Sequence, residues 1–169
     1  MTEPDHLQRL QVLSFELDND HFAIEIGIIQ EVIEYRKVTR VPRCPDFMQG
    51  VINLRGQVIP VVDLRVYFGM HAKAPNLDTC IIIIDIQVGD EACAIGIIAD
   101  SVQEVVEFDV SDIRPAPKIG LSVDNRFIYG MVEQDQNIMV LLSVQKVFND
   151  EEIHELIDSS ATQEVQESK

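Results

Sequence analysis

A chain of 169 residues, 46% of them hydrophobic, can bury one sizeable core or two small linked ones, and that content excludes a disordered body. Lys and Arg number 13 against 29 Asp and Glu, a formal charge of −16, which argues against nucleic acid because phosphate contacts need a basic footprint. No apolar run reaches membrane-span length, no basic and apolar signal segment opens the chain, and Cys44, Cys80 and Cys93 form no CxxC pair; a cytoplasmic, reducing setting is expected.

In chain order, residues 1–8 read as a frayed lead-in. Residues 10–17 carry Leu10, Val12, Phe15 and Leu17, and Asp18, Asn19 and Asp20 turn the chain into 21–26, a hairpin pattern. In 28–35, Ile28, Ile29, Val32 and Ile33 have helical spacing, yet Val32 and Ile33 also suit a strand, and both readings stand. Pro42 and Pro45 break the next stretch. Residues 50–68 then read as two short apolar strands, 51–54 and 58–62, about a tight turn at Arg55 and Gly56. Asp63 is placed to cap a helical turn carrying Leu64, Tyr67 and Phe68. A loop at 71–78 rich in Pro, Ala and Asn separates the halves.

The second half restarts the same programme. Residues 80–88 and 92–98 flank a turn at Gly89, Asp90 and Glu91, and 103–108 repeat 30–35. Residues 130–148 repeat 50–68, so that Gly50 falls on Gly130 and Phe68 on Phe148, while Asn53, Leu54 and Arg55 become Glu133, Gln134 and Asp135. Two matched blocks in the same order indicate a duplication, and many short strands with polar turns point to small barrels rather than a sandwich. About five strands per half fit a Greek-key or SH3-like barrel, with the chain crossing from one barrel to the other near 71–79. The expected division is 10–72 for the first barrel and 78–148 for the second. Arg114, Pro115, Ala116 and Pro117 make a stiff connector to the last hairpin. Asn149 and Glu152 form a capping-box signature for a C-terminal helix over 149–158 with Ile153, Leu156 and Ile157 as its apolar stripe, and 159–169 read as a disordered tail.

The acidity is uneven. Residues 1–75 carry 8 basic and 10 acidic side chains, residues 76–169 carry 5 and 19. Within 36–65, Arg36, Lys37, Arg40, Arg43, Arg55 and Arg65 face only Asp46 and Asp63. That stretch is either a solvated face or a docking surface for an acidic partner.

Motifs for chemistry are missing: there is no GxSxG, P-loop, GxGxxG after a strand or HExxH. His6, His21, His71 and His154 lie far apart with no ligand spacing, and Cys44 has no neighbouring base. Glu31 and Glu34 read as solvated or salt-bridged carboxylates. No catalysis, cofactor or metal is expected; a small-ligand barrel or a hydrolase would need convergent groups that the chain does not supply.

The run Val51, Ile52, Asn53, Leu54, Arg55, Gly56, the following Ile59, Pro60, Val61, Val62, Asp63, Leu64, Arg65, and the connector at 114–117 resemble the CheW family of chemotaxis coupling proteins. Val38 to Pro42, Phe47 and Gly50 fit as well, and the likeness spans about 10–158. It implies an all-β fold of two intertwined five-stranded SH3-like β-barrels with short connecting helices and a C-terminal helix. It further implies an adaptor that joins the cytoplasmic tips of chemoreceptors to the regulatory domain of the histidine kinase CheA, for swimming or for another chemosensory output such as pilus motility. The resemblance puts the receptor contact at Ile26, Ile29, Glu31, Ile33, Asn53, Arg55 and Gly56, with Arg55 beside Glu31, and the kinase contacts at Val58, Arg114 and Ile119. It also implies membrane association only through receptors, and self-association in rings as a further possibility. With no receiver, phosphotransfer or ATP-binding domain, the single-domain adaptor is the expected form.

Overall fold

The computed structural model describes residues 8–117 and 123–148. Ten strands run along it: β1 (Arg9–Leu17), β2 (Asp20–Glu25), β3 (Ile29–Glu34), β4 (Met48–Leu54), β5 (Gln57–Val62), β6 (Cys80–Val88), β7 (Glu91–Ala99), β8 (Ser101–Asp109), β9 (Ile128–Gln134) and β10 (Asn137–Leu142). Short helices α1 (Leu64–Tyr67) and α2 (Val144–Phe148) follow β5 and β10. The expected C-terminal helix at 149–158, the tail at 159–169, the lead-in up to residue 7, and Ile119 lie outside the described residues.

Three of the hairpins, β1–β2, β4–β5 and β9–β10, follow from their turns. Asp18 and Asn19, Arg55 and Gly56, and Asp135 and Gln136 all take positive φ, the backbone of a two-residue turn whose twist matches that of the strands it joins. The stretch left open between helix and strand is β3. Its alternate residues Ile29, Glu31 and Ile33 are half-buried while Gln30, Val32 and Glu34 face out, a period of two that an antiparallel ladder to β6 enforces.

Two five-stranded sheets result, in the orders β8-β1-β2-β10-β9 and β3-β6-β7-β5-β4. Under the repeat these are one order written twice. Each sheet takes the first hairpin of one half and the last three strands of the other, which is what intertwines the two SH3-like units. The crossing expected near 71–79 is therefore misplaced, since that loop joins β5 and β6 of the same sheet. The chain instead passes between sheets at the 3-10 turn Ile26–Ile28 and at Asp100. Repeat spacing marks equivalent strands, but pairing partners are non-local, and the hairpin of each half pairs with strands of the other half.

Among the described residues no continuous ladder closes either sheet. In one, Thr39 and Val51 exchange N–H···O bonds of 2.9 and 2.8 Å; in the other, Arg114 and Met131 exchange two of 2.8 Å. These bridges explain the duplicated glycine. A Cβ on Gly50 would stand 2.0 Å from the Thr39 carbonyl oxygen, and one on Gly130 would stand 2.3 Å from Ile113 Cγ2 and 3.1 Å from the Arg114 carbonyl oxygen. Only a residue without a side chain lets the closing strand pass.

Among the described residues three apolar clusters fill the interior. Ile52, Leu54, Ile59, Val61, Ile81 and Ile83 lie within the β3–β7 unit, and Val12, Ala23, Val132, Met139 and Leu141 within the other. The largest sits between the sheets and joins Phe15, Leu17, Phe22 and Ile24 to Ile82, Ile84, Ile86, Ile95 and Ile97. The run Ile81–Ile84 is thus apolar at every position because alternate residues feed two different cores, and all four are fully buried.

Candidate functional site

The β4–β5 turn and β3 meet along one edge of the first repeat. Asn53 Oδ1 accepts the Gly56 N–H at 3.0 Å and fixes the turn, and Arg36 Nη1 donates to the Asn53 carbonyl at 3.1 Å. With Arg55 at φ 51°, its guanidinium leaves the turn toward β3, where Nη2 pairs with Glu31 Oε2. The expected Arg55–Glu31 contact is present. Both side chains keep access to water, at 68% and 30% exposure, so the pair orders the edge rather than holding the fold. Repeat logic says the same, because the position of Arg55 is Asp135 in the other half.

The other expected receptor residues fall along the same path. Ile29 packs on the inter-sheet core and Ile33 on the β3–β7 core, each half-buried. Ile26 lies at the crossing between sheets and lines a shallow concavity of about 440 Å³ with Leu10, Gln11, Glu25 and Gly27. Of the expected kinase residues, Val58 is 40% exposed and stands opposite Asn53 in the β4–β5 register, next to the same turn. Arg114 belongs to the other sheet; it is exposed and lines a concavity of about 590 Å³ with Val106, Phe108, Asp112, Val132 and Glu133. The receptor set thus lies on the first repeat alone, while the kinase set spans both, with Val58 close to the receptor edge and Arg114 on the other sheet.

One constellation escaped sequence reasoning. Arg65, counted there with the surface cations, is buried. Its Nε and Nη2 donate to the two carboxylate oxygens of Asp63 at 2.9 and 2.8 Å, and its Nη1 donates to Asp100 Oδ1 at 2.5 Å. The Asp63 and Asp100 side chains are 3% and 7% exposed. Asp63 also takes the Arg65 N–H at 3.0 Å, the expected cap of α1, and Asp100 Oδ2 takes the Asp18 N–H at 2.7 Å. The triad therefore fastens α1 of one sheet to a crossing segment and to the β1–β2 turn of the other. Burial by itself lowers the Arg65 pKa, but the hydrogen bond and charge of Asp63, joined by Asp100, more than offset it and leave it raised. The Asp63 and Arg65 spacing was visible in the chain; Asp100, which neutralises and buries the cation, was not.

Burial raises the Cys80 thiol, and the charges of Asp78 and Glu34 push it further, which keeps it protonated and inert. Among the described residues no group of three or more His, Cys, Asp and Glu could hold a metal ion, and no helix is long and apolar enough to cross a membrane.

A family model described as the CheW-like domain matches residues 11–152. The chain is 32% identical over 151 residues to the chemotaxis protein CheW of Klebsiella aerogenes, covering 89% of this chain and 88% of that one. It is 32% identical over 145 residues to the chemotaxis protein CheW of Helicobacter pylori, covering 86% and 85%. The crystal structure of the scaffolding protein TtCheW from Thermoanaerobacter tengcongensis superposes with a TM-score of 0.75 at 29% identity, covering 88% of this chain and 93% of that one.

Proposed function

The chain belongs to the CheW-like domain family, matched over residues 11–152, and on that premise we propose that it is a non-catalytic chemotaxis adaptor. It couples the cytoplasmic domains of chemoreceptors to the regulatory domain of the histidine kinase CheA, works in the cytoplasm, and meets the membrane only through its receptors. The observation that carries the reading is the Arg55–Glu31 edge. A charged pair with little to offer the fold, at a place where the repeat carries the opposite charge, has its use in presenting a surface. The receptor helix lies along Ile26, Ile29, Glu31 and Ile33 and against the turn at Asn53, Arg55 and Gly56, an amphipathic helix on a half-apolar edge. Val58 on one repeat and Arg114 with Ile119 on the other meet the kinase domain.

A scaffold transmits a signal only by binding its partners differently in two signalling states. The inter-sheet core and the buried triad make the two units one mechanical body, so a bias received at the receptor edge is felt at both kinase contacts. Two different faces that each bind a related domain give heterologous contacts, which propagate until rotation closes them into a ring. The test is a pull-down of the full chain with a receptor cytoplasmic fragment and with the kinase regulatory domain, separately and together. Binding to each alone, and a ternary complex with both, is the expected result. Failure to bind either partner overturns the reading.

A further inference from the structure

The basic stretch of the sequence resolves into three parts. Arg65 is buried in its triad and Arg55 is paired with Glu31, which leaves Arg36, Lys37, Arg40 and Arg43 exposed on the segment that leads from β3 to β4. None of these four forms an ion pair among the described residues, although the chain holds 29 carboxylates against 13 cations. A protein of charge −16 that leaves four neighbouring cations without an ion pair to its own acids has a use for them elsewhere. The fold does not require them: the matching stretch of the second repeat, 109–117, carries Asp109, Asp112 and Arg114. The strip is also held in place. Thr39 is pinned to Val51 by two backbone bonds, Val38 is buried in the β3–β7 core, Arg36 is tied to the Asn53 carbonyl, and Arg43 sits at φ 63° between Pro42 and Pro45.

We propose that residues 36–43 form a docking surface for an acidic polypeptide segment, its Asp and Glu side chains pairing with Arg36, Lys37, Arg40 and Arg43. Three of the four cations are arginines, whose planar forks match carboxylates two-pronged. The strip is a single chain segment that turns at Pro42 and Arg43, so it suits a partner one chain wide. A flat or cylindrical polyanion suits it badly. A membrane or duplex laid on this face brings its further charges against the acidic remainder of the chain. The inference does not rest on the adaptor reading, and none of its four cations is among that reading's contact residues.

The experiment is fluorescence anisotropy of a labelled 12-residue peptide of alternating Glu and Ser, titrated with the full chain at low salt and again at higher salt. The expected result is saturable binding that weakens with salt and falls at least tenfold in Arg40→Glu/Arg43→Glu, with unchanged binding in Lys146→Glu, an exposed cation on α2. Thermal melts by circular dichroism verify that each variant is folded, and Arg40→Gln/Arg43→Gln, with an intermediate loss, serves if the reversal variant is not. Absence of binding at low salt, equal loss in Lys146→Glu, or equal binding of a Gln and Ser peptide overturns the proposal. So does strip-dependent binding to phosphatidylserine vesicles or to duplex DNA in place of the peptide.

Discussion

Replacing Arg65 by alanine would leave Asp63 and Asp100 facing each other with side chains 3% and 7% exposed and no cation between them. Breaking a buried pair by removing one partner costs about 3–5 kcal/mol, because the remaining charge can neither ionise comfortably nor reach water. The upper part of that range is expected here, since one guanidinium serves two carboxylates and its loss also loosens the seam between the sheets. In the wild type the raised Arg65 pKa gives stability that is complete below the ordinary arginine range and lost only above it, so the cost of removing this cation is expected to hold across neutrality. Urea unfolding followed by far-ultraviolet circular dichroism at several pH values measures it. Arg65→Met combined with Asp63→Asn and Asp100→Asn should recover most of the loss, since the amides keep acceptors for the Arg65-position and Asp18 N–H groups. A single variant within about 1 kcal/mol of wild type at pH 8 would refute the argument, because a loss that small belongs to exposed pairs.

Gly50→Ala should cost about 2–4 kcal/mol, since its Cβ would stand 2.0 Å from the Thr39 carbonyl at φ 139° and force the closing bridge open; a shift below 0.5 kcal/mol in denaturant unfolding would contradict the steric account. Arg55→Ala should lower stability by no more than about 1 kcal/mol while weakening receptor affinity, with Arg55→Lys restoring part of it. A double-mutant cycle with Glu31→Ala, read as receptor affinity, checks the pairing, and strict additivity would mean that the two residues act separately. Equilibrium unfolding of the full chain should show one transition or two closely coupled ones; cleavage within 71–79 that released two independently folded halves would be incompatible with the shared sheets.

Much of this was legible because it is local. Type I′ turn chemistry at Asp18 and Asn19, and at Arg55 and Gly56, states where hairpins reverse, and alternating burial follows from the pleat. The Gly50 and Gly130 correspondence carried a fact about closure that was visible as repetition before its cause was known. The spacing at 28–35 left helix and strand open because paired apolar residues, Val32 and Ile33, straddle the two faces of a strand. Of the candidate site, the Arg55–Glu31 contact came from family likeness, since no spacing rule joins a turn to a strand 24 residues earlier. What stayed hidden depends on distant partners. A charge count cannot know that Arg65 meets Asp100, 35 residues on, and periodicity cannot tell which hairpin completes which sheet.

The strand order also sets a sequence of events during synthesis. One sheet, β3 to β7, is continuous along the chain and has all its strands once residue 99 has been made. The other begins with β1 and β2 and must wait for β8, β9 and β10; Leu10 pairs with Phe108. Until then the first hairpin is a two-stranded ribbon with both edges open, marginal by itself and prone to pairing with other chains. Such long-range closure slows folding, because the loop must be gathered before its contacts reward it. The continuous sheet offers a remedy, since Phe15, Leu17 and Phe22 can rest on Ile82, Ile84 and Ile97 before their own sheet exists. The nascent chain would then carry the middle unit as a template on which the outer one assembles last.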